Sequence, residues 1–118
     1  MHILEKYVQA LESNPAGISE LFAEDAYFYD GGKKFLGAEK LYLLGRAEIH
    51  ANFTRTVDKF SAKVEGVLIN GNAMRYNVTY KGMVFEALGV AVINDGLIQS
   101  YVIECNLLKD GQYVPRPS

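Results

Sequence analysis

Four extended segments follow one another in the second half of the chain, and each is closed by a turn signal. Ser61 to Ile69, Met74 to Lys81, Met83 to Ile93 and Leu97 to Leu107 all read as strands. Asn70-Gly71-Asn72, Lys81-Gly82 and Asn94-Asp95-Gly96 separate them. Asn-Gly and Asp-Gly reach the positive φ that tight hairpins demand, so the pattern predicts an antiparallel meander. Alternation then assigns faces. Met74, Tyr76, Val78 and Tyr80 share one apolar face. In the last strand Tyr101, Ile103 and Cys105 share one face, with Ser100, Val102 and Glu104 on the other. The third strand is apolar on both sides: Val84, Leu88, Val90 and Val92 on one, Phe85, Ala87, Ala91 and Ile93 on the other. A strand of that kind is covered on both faces. Helices can cover one. A second copy of the chain is the simplest cover for the other, so a homodimer through the outer sheet face is expected.

The first half supplies the helices. Ile3, Leu4, Tyr7, Val8 and Leu11 mark one buried helical face. Asn14-Pro15 suits the start of a second helix, with Ile18, Leu21 and Phe22 apolar and Glu24-Asp25 closing it. Ala26 to Asp30 is a short aromatic strand stopped by Gly31-Gly32. Lys33 to Leu44 reads as a short strand, a helical turn, or both. Arg46 to about Lys59 is helical, with Ile49, Phe53 and Val57 on one face and Gly45 at its entry. Helices first and hairpin strands afterwards make an α+β fold. A chain of 118 residues is one domain, with residues 110–118 as a loose tail.

Composition excludes several classes. A net charge of -2 lacks the basic footprint of a nucleic-acid binder. One cysteine, Cys105, excludes an internal disulfide, and two histidines, His2 and His50, make a poor metal site. No apolar run is long enough to span a membrane, and no signal segment is visible, so the expected location is the cytoplasm. No phosphate-binding, dinucleotide, nucleophile-elbow or zinc motif occurs, and no cofactor or metal is implied.

The element order resembles that of the nuclear transport factor 2-like superfamily, which includes the ketosteroid isomerases and polyketide cyclase-like proteins. Leu21-Phe22-Ala23-Glu24-Asp25-Ala26, running on to Asp30, looks like the family's "L-F-A-D-D-A" run into its first strand. Gly45-Arg46-Ala47-Glu48-Ile49 looks like its "G-R-E-x-I" helix start, and Gly37-Ala38-Glu39-Lys40-Leu41 is a competing match. The resemblance implies a cone-shaped, cystatin-like fold: three N-terminal helices on a strongly curved, mostly antiparallel sheet, with an apolar pocket at the wide end. It implies that Asp30 stands where the isomerases place a general base, and Tyr7 where they place an oxyanion-donating tyrosine. The family's second donor, a protonated aspartate, falls on Gly89 and is lost. Phe22 and Phe53 replace the tyrosines that support the first donor.

Each candidate has a plain structural alternative. Asp30 is either a pocket carboxylate able to move a proton or the cap of the Gly31-Gly32 turn. Tyr7 is either a donor or a core aromatic. Phe53, Tyr76, Val78, Phe85 and Tyr101, with Tyr80 on the same face as Tyr76, are expected to line a pocket for a small apolar or aromatic molecule, or else to fill the core. Glu104 points away from the pocket, His50 is outward, Cys105 is a small buried hydrophobe, and Lys33 and Lys34 belong to a solvated loop. Two functions remain open. One is an isomerase, cyclase or hydratase acting through Asp30 without a cofactor. The other is a non-catalytic ligand-binding or protein-interaction module.

Overall fold

A computed structural model describes residues 1–55, 62–80 and 82–109. Helix α1 spans Ile3–Ser13 and buries Leu4, Tyr7, Val8 and Leu11, the face its spacing predicts. Its start is fixed by His2, whose Nδ1 accepts the Leu4 amide at 3.1 Å while Glu5 Oε1 accepts the His2 amide at 3.3 Å.

The region that follows departs from expectation. Only Pro15–Leu21 is helical, as a 3-10 segment, and strand β1 begins at Phe22 and runs to Asp30. Glu24 and Asp25 therefore lie inside a strand and do not end a helix. Phe22 pairs with Ile98 across the sheet, and the register slips between Phe22 and Tyr27. The pull of a partner strand overrides the local helical spacing of Leu21 and Phe22. The stretch from Lys33 to Leu44 contains both readings: a 3-10 turn over Gly31–Leu36 and strand β2 over Tyr42–Leu44.

Helix α2 covers Arg46–Arg55; the expected continuation to Lys59, with Val57, lies outside the described residues. Gly45 precedes α2 at φ +86°, a conformation other residues rarely adopt, and its amide donates to Ala26 O at 2.7 Å. Arg46 then donates through Nε and Nη2 to Phe22 O at 2.9 and 2.7 Å, which ties the helix start to the first residue of β1. Of the two competing matches, Gly45-Arg46 is the helix start and Gly37 closes the 3-10 turn.

Strands β3 (Lys63–Asn70), β4 (Ala73–Tyr80), β5 (Met83–Asn94) and β6 (Leu97–Lys109) form the predicted meander. Ser61, Lys81 and the tail from 110 lie outside the described residues. The sheet order is β2-β1-β6-β5-β4-β3, with β1 parallel to β6 and all other pairs antiparallel. The sheet is curved, with a bulge in β3 between Glu65 and Leu68. Its concave face packs on α1, α2 and the 3-10 segment around Phe22, Phe28, Ile49, Met74, Ile98 and Tyr101. Among the described residues no helix is long and apolar enough to cross a membrane.

Candidate functional site

Asp30 is the last residue of β1 and the cap of the 3-10 turn, and these two placements build the site. Its Oδ1 accepts the Gly32 amide at 2.9 Å, and its own amide donates to Leu41 O at 2.9 Å. The carboxylate that caps the turn also lines a cavity. That cavity measures about 70 Å³. Tyr7 and Leu11 of α1 close one side, Tyr76, Val78 and Tyr80 of β4 and Phe85 and Ala87 of β5 another, and Asp30, Gly32, Leu36 and Cys105 complete it. β4 and β5 pair Val78 with Phe85 and Tyr76 with Ala87, which places the four side by side on the concave face.

Burial governs the electrostatics. It raises the pKa of Asp30; the Gly32 hydrogen bond and the Lys33 ammonium oppose this, and Glu104 adds to it. Burial also lifts Tyr7 well above its usual value, helped by Tyr76, Asp30, Tyr101 and Cys105. Tyr76 is lifted in the same way, chiefly by burial. Both are neutral phenols, and a hydrogen bond between the Tyr7 and Tyr76 side chains partly opposes the rise at Tyr76. The Cys105 thiol is pushed up to about 12 by burial and by Asp30 and Glu104, so it is no nucleophile at neutral pH.

Tyr101 sits deeper than expected. It shares the concave face with Tyr76 but does not line the cavity; Tyr7 meets it edge-on at 5.2 Å, and Phe28 stacks on it at 6.1 Å. Its ring covers Gly89, so that a Cβ there would lie 2.8 Å from the Tyr101 hydroxyl oxygen. That hydroxyl is buried without a hydrogen-bond partner among the described residues. Tyr101 therefore fills the space above the position where the resemblance implies the lost second donor.

Phe53 lines a neighbouring cavity of about 120 Å³, with Asp30, Lys33, Leu36, Ala38, Asn52 and Tyr80. Lys33 corrects the reading of residues 33–34 as a solvated loop: it is half-buried, and its ammonium donates to Asn52 Oδ1 at 2.8 Å. Asn52 was not singled out by sequence. The available signal was the Asp30-Gly31-Gly32-Lys33 run, since a capped turn folds its third residue back toward the cap. Glu104 points outward as predicted and lies 3.9 Å from Lys34. His50 is exposed, with Ser19 Oγ 3.1 Å from Nδ1 and Thr54 Oγ1 3.3 Å from Nε2. Among the described residues no cluster of histidine, cysteine or acidic groups could hold a metal ion.

No family model and no curated protein matches the chain. Solved structures do. An NTF2-like protein of unknown function from Cytophaga hutchinsonii is 17% identical, with 88% of this chain and 87% of that one aligned at a TM-score of 0.64. A hypothetical protein with a ketosteroid isomerase-like fold from Catenulispora acidiphila, in complex with trimethylamine, is 18% identical over 96% and 97% of the two chains, at 0.61. A protein with a cystatin-like fold from Silicibacter pomeroyi is 18% identical over 90% and 75%, at 0.63. With the curved sheet and the helices on its concave face, these likenesses identify the chain's fold as nuclear transport factor 2-like, of the ketosteroid isomerase-like, cystatin-like kind.

Proposed function

We propose that the chain binds a small, largely apolar molecule in the inner cavity and moves a proton on it. In this reading it is an isomerase, cyclase or hydratase working by general acid–base catalysis without a cofactor. The observation that carries the reading is one desolvated carboxylate, Asp30, meeting neutral phenols in a single cavity. One carboxylate oxygen is held by Gly32, and Oδ2 has no hydrogen-bond partner among the described residues. A base raised toward neutrality suits removal of a proton beside a carbonyl. The C–H electron pair becomes the new C=C bond, the carbonyl π pair moves to oxygen, and Tyr7 donates a hydrogen bond to that oxygen. Asp30 then returns its proton to another carbon, and the step balances without a co-reactant.

Cavity size limits the ligand in this reading and equally in the second one, a non-catalytic ligand-binding module. The 70 Å³ is about half of the roughly 150 Å³ that admits benzene elsewhere, and far below the roughly 300–1,000 Å³ of drug-sized sites. A steroid does not fit that space. A ligand of roughly four or five non-hydrogen atoms does, and trimethylamine, held by the Catenulispora acidiphila protein, is of that order. Incubation with small ketones in D2O, followed by NMR, separates the two readings. Accelerated deuterium uptake beside the carbonyl supports the enzyme; binding without uptake supports the module.

The homodimer belongs to the same proposal. On the outer face Leu88, Val90 and Val92 are 57%, 59% and 50% exposed, and Leu68 and Val102 extend the patch. Such a contiguous apolar face suits burial against its own copy. Sedimentation at micromolar concentration is expected to give twice the chain mass, and Val90→Glu to give a folded monomer. A wild-type monomer sinks the idea.

A further inference from the structure

The outer cavity has a feature that the proton-transfer reading leaves unused. It shares Asp30, Leu36 and Tyr80 with the inner cavity, so the two are adjoining rooms of one cleft with the carboxylate at their junction. Lys33 supplies the polar wall of the outer room. It is the third residue of the turn that Asp30 caps, and the turn carries it back beside the carboxylate.

Asn52, on α2, holds the Lys33 head in place by accepting a hydrogen bond from its Nζ at 2.8 Å. An ammonium has three hydrogens, so the tethered head can donate to a ligand as well. The charges around it are Asp30 at the end of β1, Arg55 on α2 and Lys40 in the loop before β2. Lys40 is already paired with Glu48 at 3.2 Å. Asp30 lies at the junction of the two rooms, and Lys33 is the ammonium that lines the outer one. The outer room has the Lys33 ammonium and Asn52 in its wall, while the inner room, Asp30 apart, is lined mainly by rings and aliphatic side chains. A lysine that merely solvated the turn would be fully exposed and untethered.

We propose that the outer cavity is an anion subsite, in which Lys33, tethered by Asn52, binds the carboxylate of a short oxo acid whose carbonyl end lies in the inner cavity. The proposal rests on Asp30 being the base of the same cleft, and it names the substrate class: short aliphatic oxo acids in preference to neutral ketones. A carboxylate on an ammonium makes a charge-assisted hydrogen bond, stronger than a neutral one. The two small rooms limit the chain between the groups to a few carbons.

The test uses levulinate, a stable oxo acid, and 2-pentanone, a ketone of similar length without the acid. Binding to the intact protein is followed by NMR chemical-shift titration. Levulinate is expected to bind about tenfold more tightly or better. Lys33→Met removes the preference and Lys33→Arg retains most of it, both with melting curves like the wild type. Equal affinity for the two probes, no binding of either at millimolar levels, or a preference that survives Lys33→Met overturns the subsite. Deuterium uptake is read separately in the wild type. Asp30-dependent uptake without a levulinate preference defeats the subsite and leaves the base standing. A Lys33-dependent preference without uptake defeats the base and leaves the subsite standing.

Discussion

Asp30→Asn is expected to abolish accelerated deuterium exchange, a loss of about 10²–10⁴-fold, while the protein melts at the same temperature or higher at neutral pH. The two effects share one cause. Burial raises the folded-state pKa of Asp30 above its ordinary value of 3.8, so the folded protein holds the proton more tightly than the unfolded chain. Stability from this group is complete below the unfolded value and is lost as pH rises through the folded one. Above that window the ionised carboxylate opposes folding, and the neutral amide does not. Asparagine also keeps an oxygen that can accept from the Gly32 amide, so the turn cap survives. The advantage of the variant should shrink as pH falls toward 3.8 and below. Melting curves from acid to neutral pH check the stability half. A variant that melts well below the wild type at neutral pH would contradict the desolvation argument, and one that keeps its exchange activity would show that Asp30 is not the base.

Gly89→Ala is expected to cost about 1–3 kcal/mol, the usual range for forcing atoms into a packed core. For a domain of this size that lowers the melting temperature by about 4 °C or more. The added methyl would lie 2.8 Å from both Cζ and the hydroxyl oxygen of Tyr101. That ring cannot step aside, because Tyr7 meets it edge-on and Phe28 stacks along it, and it is fully buried. The steric origin can be isolated in double variants. Adding Tyr101→Phe should not rescue Gly89→Ala, since a ring edge still faces the methyl. Adding Tyr101→Leu should recover part of the loss by returning volume. Urea unfolding measures all three proteins. An unchanged midpoint for Gly89→Ala, or full rescue by Tyr101→Phe, contradicts the packing argument.

The meander was legible in the sequence because its information is local. Hairpin residues sit beside the strands they join, and alternation along β4, β5 and β6 assigns faces without knowledge of the partners. The same logic put Tyr76 and Val78 on one face of β4, and the family resemblance set Tyr7 and Asp30 beside them; all four line one cavity with Phe85. Errors arose where a distant partner decides. Ile18, Leu21 and Phe22 have helical spacing, yet Phe22 to Asp25 become strand because Ile98 lies across from Phe22. Tyr101 has the right face but the wrong depth, because depth depends on Gly89 leaving room beneath the ring. Lys33 read as solvent-facing because its burial comes from Asn52 on another element. Cavity volume is set by how all these side chains interlock, and no spacing rule encodes it.

The parallel pairing of β1 with β6 also sets an order of assembly. The hydrogen bond from Gln99 Nε2 to Asp25 Oδ1 closes a loop of 74 positions, and the main-chain ladder from Phe28 to Tyr101 runs beside it. Loops of that length are slow to close. During synthesis β1 leaves the ribosome long before its central neighbour exists, with only the three residues of β2 to pair against. Tyr7 likewise waits for Tyr101 before its ring is boxed in. The cleft around Asp30 is therefore a late product of folding, complete only when the last strand slides between β1 and β5.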